Sequence, residues 1–379
     1  MLSSRSRIEL AVVVALGAAA VLVLPRVVEA FTLLEVTIYV VMSILALSLG
    51  FVWGYAGILC FGQAAFFGLG AYAYAVGVMN FGESTGAVLL AVVVPALFAL
   101  LLGYFMFWGR ISDVYLGVIT LTVSLILFNL VNSTAGDAYR IGAAPLGGFN
   151  GIPSVPTLNV PGDPGRLLDP AQIFEVCVAA LVAVYVGLRL LLASHFGRVV
   201  VSIRENERRA SLLGYDTRRY KLAAFAIGGA VAGLAGCLFA NWGAFVSPTV
   251  FGLAQSAQII IWVIVGGVGT LAGPVVGCFL IQWLASSLGA SPLLNTNLVL
   301  GAVLVVFVLL VPRGLVPGVE AIWARATRRG GQAGARPADD AVAGGGSGMV
   351  AGAGAATGAG TVVATGAGAA GALPAGRTE

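Results

Sequence analysis

Apolar runs of helix-spanning length, separated by short polar breaks, account for most of this chain. The runs cover 10–24, 37–52, 87–108, 114–131, 171–192, 222–241, 251–268, 271–285 and 298–311. Between the second and third lies WGYAGILCFGQAAFFGLGAYAYAVGV, residues 53–78, rich in glycine and carrying Gln63 in apolar surroundings. Counted with this stretch, the pattern predicts ten transmembrane helices, because about twenty apolar residues cross a bilayer. The glycine-rich segments, here and at 266–277, predict breaks in simple helices. The run 271–285 is the least secure of the ten, since GGVGTLAGPVVG before it suits a tight turn or a re-entrant segment. Residues 134–170 are polar and rich in Gly and Pro, and are expected to form an external loop or cap.

One island of charge interrupts the pattern at 194–221, SHFGRVVVSIRENERRASLLGYDTRRYK. It holds seven of the twenty Lys and Arg residues together with Glu205, Glu207 and Asp216, whereas 222–312 has no charged residue. The island must lie in water. Asn206 is suited to cap a short helix over 207–213, and Gly214 to the left-handed residue that ends one. Glu205 stands four residues before Arg209, the favourable order for an acid-base pair on one helix. Ala210 and Leu213 are expected to share a small apolar face, and Asp216 to cap the helix that follows. Such a helix is built for docking on a protein in the cytosol. A plain basic loop that only fixes topology is the simpler reading of the same residues.

Composition places the whole in a membrane. Hydrophobic residues make up 59% and charged residues 9%, against roughly 25% charged in a soluble domain. The net charge of +4 is no nucleic-acid signal, because the basic residues border apolar runs. With the N-terminus in the cytoplasm, ten spans put Arg110, the island, Arg313, Arg325, Arg328 and Arg329 inside. Only Arg26, Arg140 and Arg166 then sit near the outer face, and both termini are cytoplasmic. The SRSR at 3–6 followed by 10–24 resembles a signal peptide, but the run is long and no small-residue cleavage pattern follows, so residues 1–30 are expected to be a retained transmembrane helix. Residues 31–325 form the main domain, and the Gly/Ala-rich residues 326–379 are expected to be a disordered tail.

Catalytic chemistry has little to work with. His195 is the only histidine and Lys221 the only lysine, and no GxxxxGK[ST] loop occurs. Cys60, Cys177, Cys237 and Cys278 are widely spaced in apolar contexts and read as small buried hydrophobes, with no metal site. Transport fits better. Polar groups within spans are costly unless they face protein or a water-filled path. Ser48, Gln63, Thr122, Asn129, Gln255 and Gln258 are therefore candidate pathway residues, with Thr120, Ser124 and Ser256 beside them. Helix-to-helix hydrogen bonding is the alternative for each. No intramembrane acid pair is present for ion coupling, which favours energy supplied by a separate partner.

Several stretches resemble one family. GYAGILCFGQAAFFGLGAY (54–72), GVITLTVSLI (117–126), GGFNGI (147–152), FGRVVVSIRENERRASLLGYDTRRYKLAAFAIGGAVAGLAG (196–236), GGVGTLAGPVVG (266–277) and PRGL (312–315) are similar to motifs of LivM-like permease subunits of branched-chain amino acid ABC importers. The likeness spans about 31–323. It implies that Asn206, Glu207, Arg208, Arg209, Ala210, Ser211, Leu212, Leu213 and Gly214 form a coupling helix that docks on an ATP-binding subunit. It further implies a LivH-like second permease, an extracytoplasmic substrate-binding protein, a place in the cytoplasmic (inner) membrane, and ATP and Mg bound by the partners, with no cofactor on this chain. By the resemblance the chain is a transport subunit and no enzyme. Gln63 stands where the family commonly has His, Cys60 where a small polar residue is usual, and His195 where Pro is usual. Urea and short-amide importers share nearly all of these motifs, and a self-sufficient channel is the alternative from another class.

Overall fold

A computed structural model describes residues 4–109, 111–136, 138–160, 163–289, 301 and 314–318. The run 298–311 and the tail 326–379 lie outside them except for residue 301, as does Arg110. The described chain is mostly helical. Helices α1 (Ser4–Val27), α2 (Ala30–Gly54), α3 (Gln63–Phe81), α4 (Ser84–Trp108), α5 (Asp113–Asn132) and α6 (Pro170–Ala193) precede the island, which contains α7 (His195–Glu205) and α8 (Glu207–Leu212). Helices α9 (Thr217–Gly243), α10 (Leu253–Gly266) and α11 (Ala272–Gly289) follow.

Among the described residues, α1 to α6 and α9 are long and apolar enough to cross a membrane, which makes seven candidate spans. The other two described runs do not reach that length. At 14 residues, α10 rises about 21 Å, short of the ~30 Å hydrocarbon core. It is joined to α11 by a turn in which Gly267 and Gly269 have φ of +116° and +96°, a region that glycine occupies without a steric cost. The two short helices pack on each other and on α2.

Burial concentrates on α2, α3 and α9, while α1 lies at the rim against α6 and α2. What allows the central helices to meet is the absence of side chains. A Cβ on Gly233 of α9 would run into the Ala91 carbonyl of α4, and one on Gly236 into the Phe67 carbonyl of α3. Gly70 of α3 meets the Gly233 backbone in the same way. In lipid, where apolar burial gives helices little reason to associate, such backbone approach supplies the packing contacts. Aromatic rings fill the space beside the glycines, with Phe66 edge-on to Phe225 at 5.3 Å and Tyr72 stacked on Phe251 at 5.6 Å. All four cysteines are free and buried.

Residues 134–170 form a small cap. Two antiparallel ribbons, β1 (Arg140–Ile141) with β2 (Ala144–Pro145) and β3 (Asn159–Val160) with β4 (Asp163–Leu167), flank the glycine loop 147–151. The cap is tied down by Tyr74 Oη donating to the Pro156 carbonyl at 3.0 Å, by the Ser84 amide donating to Asn159 Oδ1 at 2.8 Å, and by the bridge between Ile152 and Val246. Asp169 then leads into α6, where its amide donates to Gln172 Oε1 at 3.1 Å and Pro170 opens the helix.

Gly233→Val is expected to lower the thermal midpoint of the detergent-solubilised protein, by about 1–3 kcal/mol or more in stability, as overpacking a filled contact does. Gly187→Val, where nothing lies within 4 Å, should stay near wild type. Equal midpoints for the two variants would refute the role given to the α9 glycines.

Candidate functional site

Two regions gather part of the polar residues singled out by the sequence. The first is the break between α2 and α3. Helix α2 ends at Gly54, and residues 55–62 run without regular structure until Gln63 opens α3. Irregular backbone buried among helices needs partners supplied by the protein. Here α5 does so. Thr120 Oγ1 accepts from the Phe61 and Gly62 amides at 3.1 and 3.3 Å while donating to the Gly117 carbonyl at 2.9 Å. Gln63 is 1% exposed, and its Nε2 donates to Ser48 Oγ of α2 at 2.9 Å and to the Gly228 carbonyl of α9 at 3.3 Å. Three central helices are thereby pinned at one buried point.

The six candidate pathway residues fall in separate places. Ser48 and Gln63 form the buried cluster just described, with Ser48 Oγ donating on to the Leu45 carbonyl at 2.6 Å. Thr122 and Asn129 stand on the exposed face of α5, each bonded to a carbonyl one turn earlier. Gln255 is half-buried with its Nε2 3.8 Å from Met42 Sδ, and Gln258 lines a small cavity beside Trp262 and Gln282. Of their neighbours, Ser124 donates to the Phe251 carbonyl at 2.7 Å, which makes it a helix-to-helix tie.

The second region is the charged island. Helix α7 carries Val199, Val200 and Ile203 on its buried face. Asn206 then takes an extended conformation, ends α7 and caps α8, its Oδ1 accepting from the Arg209 amide at 2.9 Å. Gly214, at φ +88°, closes the turn after α8. Lys221 of α9 donates to Glu207 Oε2 at 2.7 Å and holds α8 against the membrane-spanning body. Partial burial pulls the Glu207 carboxyl upward, but the Lys221 ammonium and the Thr217 hydroxyl outweigh it and hold the group below the usual carboxylate range.

Three local expectations are corrected here. Ala210 is 0% exposed and packs on Val199 and Ile203, with Tyr215 and Tyr220 beside them. It therefore does not share an outward face with Leu213. The amphipathic α7 needs a cover, and only a small residue lets α8 come close enough to supply it. The outward apolar pair is instead Leu212 and Leu213, 87% and 69% exposed. Glu205 does not pair with Arg209, because the extended Asn206 puts them on different helices; it pairs with Arg204 at 3.0 Å. Asp216 precedes α9 but makes no side-chain cap, and its carboxylate meets Arg219 Nε at 2.9 Å.

Beside α8 lies a groove of about 570 Å³, lined by Phe107 from the end of α4, by Ser112 from the α4–α5 turn and by Arg208, Ser211, Arg218 and Lys221. Sequence reasoning missed α7 as a helix and Leu212 as an outward residue. The apolar spacing of Val199, Val200 and Ile203 within the island was the available signal for α7.

Comparison with known proteins gives the family context. Residues 31–308 match the family model described as branched-chain amino acid transport system / permease component. The high-affinity branched-chain amino acid transport system permease protein LivM of Escherichia coli (strain K12) is 30% identical over 307 residues, covering 74% of this chain and 69% of that protein. LivM of Salmonella typhimurium is 31% identical with the same coverage. LivH of E. coli K12 is 30% identical over 156 residues, 40% of this chain and 49% of its own length. No solved structure matches.

Ser48→Ala is expected to leave the Gln63 amide underpaired and to cost about 1–3 kcal/mol, the penalty for an unsatisfied buried group. The double variant Ser48→Ala/Gln63→Met, which removes the polar pair altogether, should unfold at a higher temperature than Ser48→Ala alone. The opposite order would mean that the cluster does not pin the helices.

Proposed function

The chain belongs to the family of branched-chain amino acid transport system permease components, and on that premise we propose that it is the multi-pass subunit of an ABC importer that moves branched-chain amino acids inward. Residues 31–325 are the permease domain, preceded by a helix within 1–30. A second, LivH-like permease completes the membrane part, two ATP-binding subunits carry ATP and Mg, and an extracytoplasmic binding protein delivers substrate across the cytoplasmic membrane. Both termini face the cytoplasm in this reading.

The observation that carries the docking role is the make-up of α8. Its inner side is held by Ala210 and by the Glu207–Lys221 pair, while Leu212 and Leu213 project into solvent among Arg208, Arg209 and Ser211. Two adjacent exposed leucines on a short, anchored, charged helix are suited to a partner's groove, with the arginines at the rim of the contact. Closure of the ATP-binding subunits would then move α8 as a rigid knob and shift the spans between outward and inward access.

The test is reconstitution of this chain with its second permease and ATP-binding subunits in nanodiscs, with ATP hydrolysis followed as the binding protein is added loaded with leucine, valine or urea. Stimulation by leucine or valine is expected. Stimulation by urea alone would change the substrate, and flux in the absence of the other subunits would replace the importer with a channel. Leu212→Glu/Leu213→Glu should insert and pair with the second permease yet lose the ATP-binding subunits on purification, because each buried unpaired charge costs several kcal/mol.

A further inference from the structure

We propose that Arg204 is the strut through which movement of α8 reaches two glycine breaks of the bundle, an inference that rests on the docking role of α8 given above. Arg204 lies in the last turn of α7, and only Glu205 separates it from the Asn206 that opens α8. The two helices are clamped on one another through Val199, Ile203 and Ala210, so a push on α8 is a push on Arg204.

The far end of its side chain meets the end of α2. A helix leaves its last four carbonyls without partners inside itself. In α2 those of Phe51, Val52 and Trp53 are taken by the backbone amides of Tyr55 and Ala56, of Ile58 and of Gly57. The fourth, Gly54, accepts from Arg204 Nη1. A guanidinium at a helix C-terminus also offsets the negative end of the helix dipole, and a charged donor makes the stronger kind of hydrogen bond. Glu205 holds the other arm, Nη2, at 3.0 Å.

The stem of the same side chain lies on the turn. A Cβ on Gly57 would fall 2.8 Å from Arg204 Cγ, and Gly57 sits at φ +71°. A Cβ on Gly269, in the turn between α10 and α11, would lie 3.7 Å from Arg204 Nη1. The two turns touch each other as well, since a Cβ on Gly54 would fall 2.8 Å from the Gly269 amide nitrogen. One arginine of the cytoplasmic island therefore reaches two of the places where the apolar helices are interrupted by left-handed glycines. Such turns are where backbone dihedrals can change without dismantling a helix. The first of them runs on to Gln63 and its contacts with α2 and α9.

Arg204 is thus a positioning residue, and its readout is the leucine taken up per ATP hydrolysed by the full complex in proteoliposomes. Arg204→Met keeps a stem over Gly57 and removes the donor, whereas Arg204→Lys keeps the charge and one donor. The Met variant is expected to assemble and hydrolyse ATP while the ratio falls about fivefold or more, the lower end of coupling between sites. The Lys variant should recover much of the loss. A wild-type ratio in the Met variant overturns the proposal. So does failure of that variant to assemble, since the arginine would then hold the fold together rather than relay a motion. Loss of stimulation in the wild-type complex would instead sink the importer reading, and this inference with it.

Discussion

Every buried backbone amide and carbonyl needs a partner, and the rest of this structure follows from meeting that need where the helices break. The bundle interrupts itself after Gly54 and after Gly266, and at both places neighbouring segments complete the pairing. Thr120 of α5 covers the amides at the start of α3. Thr270 accepts from the Gly273 amide at 3.1 Å and so helps to start α11. The glycines that let α3, α4 and α9 approach closely make this support possible, because a side chain at Gly233 or Gly236 would hold the helices apart.

The same economy shapes the charged island's face. The island is organised by small contacts, each of which leaves a definite surface open: Ala210 turned inward, Asn206 capping, Lys221 holding Glu207. What remains outward on α8 is two leucines set among arginines. The groove between α8 and the α4–α5 turn widens that face with both apolar and basic lining.

The intramembrane polar residues divide by what they touch. Ser48, Gln63, Thr120 and Ser124 bind neighbouring segments and contribute to holding the bundle in register. Thr122 and Asn129 bind only their own helix and face outward from α5, so that face is free to meet a second subunit or water. A list of polar residues in apolar runs cannot separate these two groups, since both bear the same cost of burial in lipid.

By itself the sequence determined the long helices, the charged island, the Asn206 cap and the Gly214 stop, because each depends on residues within a few positions of one another. The motifs that reveal the family are equally local. The tertiary structure alone decided that Ala210 turns inward while Leu212 turns out, that Glu205 and Arg209 part company, that Gln63 is held by α2 and α9, and that α10 is short. The physical reason is that a helix apolar all the way round carries no sign of which side is interior. In such a bundle the choice of face is made by close backbone contacts between segments far apart in the chain, and those exist only once the helices have met.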